Sequence, residues 1–436
     1  MRILRHVLLV VLLLIAGVAI FVVSSQAPVI AGIEPPQRGD FDPALIARGA
    51  RLAALGDCDG CHTAAGGRPY AGGRPIPTPF GTVYSTNITP APGSGIGKWS
   101  EAAFRRAMRR GIARRGAHLY PAFPYYHFTK VSDDDLHALY AFIMTRQPVD
   151  TAPPPNALPF PFDQRWLMTF WNLLFLDRTP LHSDPSHDEQ WNRGHYLVAG
   201  LGHCGACHTP RNWLGAEKAS QTLAGGSSEG WRAPALGAAS PAPVPWDMPH
   251  LAAYLRHGRA ADHGAALGPM REVVRSLRAA DDADIDAIAA YLAAAQGEIS
   301  PARRQRAKEV LARAGQPAPP APSEGKTAGE ALGTALFAGA CAGCHTGGSP
   351  TLPPHGVDLA LSTTVNEPQP TNAIRVVLDG VRPADGRTGP WMPGFAGAFT
   401  DDQLVQLLAY VRAHYGSGAP WPDLMTHLHN IRDGKE

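Results

Sequence analysis

The residue pattern with the clearest chemistry is Cys-x-x-Cys-His, which occurs three times: Cys58–His62, Cys204–His208 and Cys341–His345. Two thiols one helical turn apart can each add to a vinyl group of haem. The His that follows the second thiol then reaches the iron from one face. The spacing is that of c-type haem attachment. Cys58, Cys61, Cys204, Cys207, Cys341 and Cys344 are the candidate covalent sites, and His62, His208 and His345 the proximal iron ligands. The chain has six Cys, all within these motifs. No thiol remains for a disulfide, a zinc cluster or a nucleophile.

Beyond each motif the chain repeats in register. A helix-like apolar stretch ends in Gly three times: Phe104 to Gly111, Leu251 to Gly258 and Ile374 to Gly380. At a common offset beyond these glycines stand Phe123, Met270 and Met392. A thioether opposite His raises the reduction potential of a haem iron, so Met270 and Met392 are the expected sixth ligands of the second and third haems. Phe123 cannot ligate. For the first haem His127 is the preferred candidate, with His118, Met108 and a five-coordinate iron as alternatives. Met108 falls on a core stripe with Phe104 and Ile112 and reads as packing. Acidic pairs Asp133-Asp134, Asp281-Asp282 and Asp401-Asp402 then mark helix N-termini. Each such helix is expected to pack on the helix carrying the Cys motif.

The 436 residues suffice for about three domains. The formal net charge of +2 argues against nucleic acid as a partner. Arg2, Arg5 and His6 precede an apolar run from Val7 to Val23, the pattern of an export signal. As a helix the run spans about 25 Å, close to the bilayer core, and the small-residue site Ser25-Gln26-Ala27 is followed by Pro28. The expectation favours a retained transmembrane anchor over a cleaved signal, with the rest of the chain at the periplasmic side of the inner membrane. A Pro-rich, aromatic connector contains an apolar helix candidate from Trp166 to Leu176, too short to span, suited to a membrane interface, a quinone pocket, a subunit contact or a core. A Pro-rich linker around 315–329 suggests that the third domain docks independently. Arg105, Arg106, Arg109, Arg110, Arg114 and Arg115 form one dense basic patch, suited to an acidic partner, lipid headgroups, haem propionates or plain solvation.

With these motifs placed, the strings TPFGTVYSTNIT (78–89), GIGKWS (95–100), LYPAFPY (119–125) and GLGHCGACHTPR (200–211) resemble the triheme cytochrome c subunits of membrane-bound periplasmic dehydrogenases. Members of that family with quinoprotein alcohol or gluconate dehydrogenase partners usually carry Met where this chain has Phe123. The form Phe123-Pro-Tyr-x-His127-Phe-Thr is more similar to cytochromes paired with molybdenum hydroxylases. The resemblance implies a catalytic partner with molybdopterin and 2Fe-2S subunits.

The combined expectation is an all-α fold of three tandem cytochrome c-like domains with an N-terminal transmembrane helix. The divisions are 1–30 signal anchor or signal peptide, 40–150 first domain, 151–190 connector, 191–300 second domain, 301–328 linker and 329–436 third domain. Three haem c groups would carry electrons from a dehydrogenase catalytic subunit to ubiquinone or a terminal oxidase, with no substrate-oxidising site on this chain. The alternatives are the cytochrome subunit of a quinoprotein (PQQ) alcohol dehydrogenase, or a haem peroxidase or gas sensor using an open first haem.

Overall fold

The computed structural model describes residues 2–24, 27–314, 327–345, 357–382 and 391–435. Its recurrent unit is a pair of packed helices, one ahead of each Cys motif and one at the far end of each repeat. The pairs are Pro43–Leu55 with Asp133–Met144, Glu189–Tyr196 with Asp282–Ala295, and Ala328–Ala340 with Asp401–Tyr415. Local chemistry starts and stops these helices. Asp42, Asp188 and Thr327 cap the first members, each side chain accepting a backbone N–H of the first turn. The acidic pairs sit where expected, with Ser132 and Thr400 as caps.

The helices cross closely because each first member places a Gly at the crossing. A Cβ on Gly49 would lie 2.0 Å from the Ala138 carbonyl oxygen, and one on Gly194 the same 2.0 Å from that of Ala287. On Gly333 it would lie 2.5 Å from the Gln406 oxygen. Backbone therefore meets backbone, and an aromatic side chain follows at the next turn: Phe142, Tyr291 and Tyr410. In the first two pairs the residue before the Gly also makes an ion pair across the crossing, Arg48 with Asp135 (2.6 Å) and Arg193 with Asp284 (2.7 Å).

The chain divides into two compact units. The first comprises 1–183 with 199–203, and the second 184–198 with 204–436. In the first, the connector helix Leu167–Phe175 packs on the haem module through one face only. Trp171 and Asn172 are buried, and the Tyr125 hydroxyl donates to Asn172 Oδ1 at 2.7 Å. Leu173 and Leu174 on the other face stay exposed. The alternatives of core and interface thus apply to two faces of one helix. In the second unit the stretch 301–313 is helical, with Ala307 and Val310 packed beside Val244 and Leu361. The third module is tied to the second by side chains. Asn372 donates to the Arg232 carbonyl and accepts from its N–H, both at 2.9 Å, and the Arg375 guanidinium lies over the Trp231 ring.

Two expectations need correction. The fold is not all-α. Three two-stranded antiparallel sheets are present: Pro75–Thr78 with Gly81–Tyr84, Gly226–Ser228 with Trp231–Ala233, and Arg259–Ala260 with Gly264–Ala265. Each turns tightly on a positive-φ glycine, Gly81, Gly230 or Gly264, and strands of two to four residues leave little alternation to read. The transmembrane helix is also withdrawn. The N-terminal run does form a helix, Arg2–Ser24, but among the described residues no helix is long and apolar enough to cross a membrane. Its apolar stretch begins only after Arg2 and Arg5, leaving it short of the ~20 residues a span needs. Near its end, Phe21 stacks on Phe170 of the connector helix, with ring centroids 5.2 Å apart.

Candidate functional site

Each Cys-x-x-Cys-His motif forms one short helical turn: Cys58–His62, Gly205–His208 and Ala342–His345. The turn puts the two thiols of each motif on neighbouring positions, with the His directly after. Burial pushes the Cys58 thiol up to about 12, assisted by Asp57, and burial also raises Cys204 to about 12 and Cys341 to about 11. Unmodified, these thiols are protonated at neutral pH and are not the exposed, low-pKa type that serves redox exchange. Among the described residues no group of three or more His, Cys, Asp or Glu is arranged to hold a metal ion.

The three histidines share one arrangement. His62 Nδ1 lies 2.6 Å from the Thr86 carbonyl oxygen, His208 Nδ1 2.7 Å from that of Pro234, and His345 Nδ1 3.0 Å from that of Val357. A carbonyl only accepts, so Nδ1 carries the proton and donates. The lone pair is then on Nε2, the atom a metal requires, and the ring is held in one orientation. Burial also lowers the pKa of His62 and His208, which keeps both rings neutral. Sequence reasoning missed these acceptors, and no side-chain signal would have found them, because the acceptor is main chain. Two come from the unforeseen hairpins. Thr86 follows the strand Gly81–Tyr84, and Pro234 follows Trp231–Ala233. The donor set, two thiols beside an imidazole whose ring is fixed through Nδ1, fits haem c at all three motifs.

The other candidate ligand residues are less uniformly placed. In the first two modules the helix ends in a left-handed Gly, Gly111 or Gly258, whose carbonyl accepts from Leu119 or Ala266, both at 2.7 Å. Phe123 and Met270 each stand four residues beyond that bond, so the backbone treats them as equivalent. Met270 is half-buried at the start of the helix Met270–Leu277. The preceding Gly268 has φ +49° and lies against the Trp231 ring, where a Cβ would come within 2.4 Å. In the third module Met392 is itself in the ladder, exchanging backbone hydrogen bonds with Val381 at 2.8 and 2.9 Å. Residues 383–390 of that loop lie outside the described ones.

Phe123 packs against Phe128 and Tyr125. His127, on the turn Tyr125–Phe128, donates from Nδ1 to the Ala199 carbonyl at 2.8 Å and stacks near Tyr126 and His203. This Nδ1–carbonyl arrangement is the one seen at the three proximal histidines. His118 is buried with Nε2 at 3.1 Å from the Thr169 hydroxyl, while its Nδ1 has no hydrogen-bond partner among the described residues. Met108 is buried with Phe104 and Ala107 on one helix face, as packing requires.

The basic patch is partly consumed within the fold. Arg105 pairs with Glu101 and Asp133, and Arg109 with Asp133. Arg106 donates to the carbonyls of Pro28, Ala113 and Arg114, and Arg114 donates to that of Ile30.

Comparison with known proteins identifies the family. The profile of the family described as cytochrome c matches residues 46–147 and 330–414. A nicotinate dehydrogenase subunit of Pseudomonas putida is 45% identical over 92% of this chain, which spans only 33% of that protein's length. The fructose dehydrogenase cytochrome subunit of Gluconobacter japonicus is 37% identical, covering 85% of this chain and 79% of its own. The cytochrome c subunit of alcohol dehydrogenase (quinone) from Gluconobacter oxydans is 36% identical over 90% and 83% respectively.

Proposed function

The chain belongs to the cytochrome c subunits of dehydrogenases, an electron-transfer family, and from that premise we propose the following specific role. It binds three haem c groups and passes electrons from a catalytic subunit containing molybdopterin, with a 2Fe-2S subunit, to ubiquinone or a terminal oxidase. It does so at the periplasmic side of the inner membrane.

The observation that carries the count of three is the repeated Nδ1-to-carbonyl anchoring of His62, His208 and His345. A motif present by accident has no reason to be oriented the same way three times. Bound haem c supplies one-electron redox chemistry at its iron. The residues of this chain do the rest. Cys58 and Cys61, Cys204 and Cys207, and Cys341 and Cys344 hold the porphyrin. The carbonyls of Thr86, Pro234 and Val357 fix the proximal rings. Met270 and Met392 would supply thioether ligands to the second and third haems, and His127 would take the place of the missing Met at the first. The molybdenum-type partner is supported by Phe123 and His127 in the string from 123 to 129. A quinoprotein partner is the second reading, supported by the 36% identity to the alcohol dehydrogenase (quinone) subunit.

Intact mass of the denatured protein tests the count: three haem additions are expected, and two or fewer refute it. The partner is tested by isolating the complex under mild detergent and assaying for molybdopterin and for pyrroloquinoline quinone. Molybdopterin is expected; the quinone alone would establish the second reading instead.

A further inference from the structure

The first unit holds a cavity of about 650 Å³ that the haem machinery does not use. Its lining includes four cationic side chains, Lys98, Arg114, Arg115 and Arg165, together with Trp99 and Leu119. None of the Cys or His residues of the attachment motifs contributes to it. Arg114 and Arg165 are held in place by bonds to carbonyls, Arg114 to Ile30 and Arg165 to His118, both at 2.9 Å. Lys98 and Arg115 are exposed and make no side-chain hydrogen bond or ion pair among the described residues. Two carboxylates lie nearby: Asp150 rests against Gly93 and accepts the Ser94 hydroxyl at 2.8 Å, and Asp163 acts on Tyr120, over whose ring Arg165 lies. The balance is strongly positive in a concave site, where low-dielectric walls strengthen attraction for an anion.

The position of the cavity identifies the source of that anion. Gly32 rests against Arg114 and Lys98, and the Ile33 N–H donates to the Lys98 carbonyl at 3.1 Å. This strap lies just beyond the apolar helix Arg2–Ser24, whose Leu8, Leu9 and Leu12 are exposed. On another side Arg165 is followed directly by Trp166 and the connector helix, with Leu173 70% and Leu174 66% exposed. Phe21 on Phe170 joins the two apolar helices. A cationic cavity whose wall residue Arg165 leads directly into Trp166, in a unit that also exposes Leu173 and Leu174, has the composition of a surface that meets lipid at its headgroups.

We propose that this cavity binds the phosphate of an anionic membrane lipid while the flanking apolar residues enter the acyl boundary. The proposal rests on the membrane-surface location given under Proposed function and adds the site and the headgroup chemistry to it.

The test is flotation of the full haem-loaded chain with vesicles of phosphatidylcholine alone or of phosphatidylcholine with phosphatidylglycerol. The wild type is expected to prefer the anionic vesicles, and more weakly at high salt. Lys98→Glu with Arg115→Glu should reduce affinity for them by more than the roughly thirty-fold expected from neutralising the two residues, at about a fivefold loss per basic residue near the surface. Binding to neutral vesicles should persist. Leu173→Ser with Leu174→Ser should weaken binding to both vesicle types. The charge-conserving pair Lys98→Arg with Arg115→Lys should retain the preference, and unchanged haem absorbance certifies folding of each variant.

Equal binding of the wild type to both vesicles overturns the proposal, as does a preference that survives charge reversal. Inorganic phosphate alone raising the melting temperature, without any vesicle preference, would mark a soluble-anion site and overturn the lipid assignment. Competition by polyglutamate without vesicle preference would mark an acidic protein partner and overturn it too. Failure of the relay reading would appear separately, as missing covalent haem.

Discussion

The helix Ala328–Ala340 offers a test in which one substitution has opposite signs at two positions. Ala is favoured over Gly in a helix interior by about 1 kcal/mol. At Gly339, beside the helix end, an added Cβ meets no atom of the described residues within 4 Å, so Gly339→Ala should stabilise by up to about that amount. At Gly333 the Cβ would lie 2.5 Å from the Gln406 carbonyl oxygen and 3.0 Å from the Tyr410 Cβ. Neither neighbour is the end of a flexible side chain, so the helices must separate. That disturbs the packing of Phe337 on Leu407 and Tyr410. Overpacking of this kind costs about 1–3 kcal/mol, and the backbone contact argues for the upper end. Subtracting the propensity gain leaves a net loss of about 2 kcal/mol. For a compact unit of the size of the second one, 1 kcal/mol shifts the unfolding midpoint by about 2–4 °C. Calorimetry should therefore show the transition of that unit falling by roughly 6 °C in Gly333→Ala and rising by roughly 3 °C in Gly339→Ala. A Gly333→Ala protein as stable as the wild type would refute the close crossing, and with it the reason for a Gly in all three first helices.

Further expectations concern the cofactor, pH and the connector. Replacing Met270 or Met392 by His should lower the reduction potential of one haem while leaving the others unchanged, as read by spectroelectrochemical titration; an unaltered titration in both variants excludes thioether ligation. Burial raises the Glu367 carboxyl to about 8, against the opposing influence of Arg232 and the Asn372 hydrogen bond. The folded state then retains a proton that the unfolded chain releases near 4.5. The stability from this group is complete below about pH 4.5 and is lost as pH rises to about 8, a change on the order of a few kcal/mol. Glu367→Gln should remove that part of the pH slope in denaturant titrations, and an identical slope in wild type and variant would contradict it. Tyr125→Phe leaves the buried Asn172 amide without its donor and should cost about 1–3 kcal/mol, measured by urea unfolding of the first unit; a change below a few tenths would show that water replaces the hydroxyl.

Much of the molecule was readable from short-range pattern because the responsible interactions are short-range. The Cys-x-x-Cys-His spacing is chemistry within one helical turn. The capping residues Ser132 and Thr400 and the glycines ending the middle helices, Gly111 and Gly258, act within four residues of themselves. Helix positions were therefore legible from the chain alone, and the burial of Met108 followed from helical periodicity. What remained hidden depends on where distant backbone returns. The acceptors for the proximal histidines are the carbonyls of Thr86, Pro234 and Val357, and every residue carries a carbonyl, so composition gives no hint of which will be used. The hairpins that deliver two of them are too short to show alternation, which is why an all-helical fold was expected. The connector helix Leu167–Phe175 has only Thr169 and Asn172 as polar residues, and only its docking through Trp171 and Asn172 decided which face is covered. The N-terminal run read as a span because hydropathy sums residues without regard to neighbours, whereas the folded chain sets Phe21 against Phe170. The sequence by itself determined which residues bear the chemistry; tertiary structure decided their orientation, because orientation comes from groups that every residue shares.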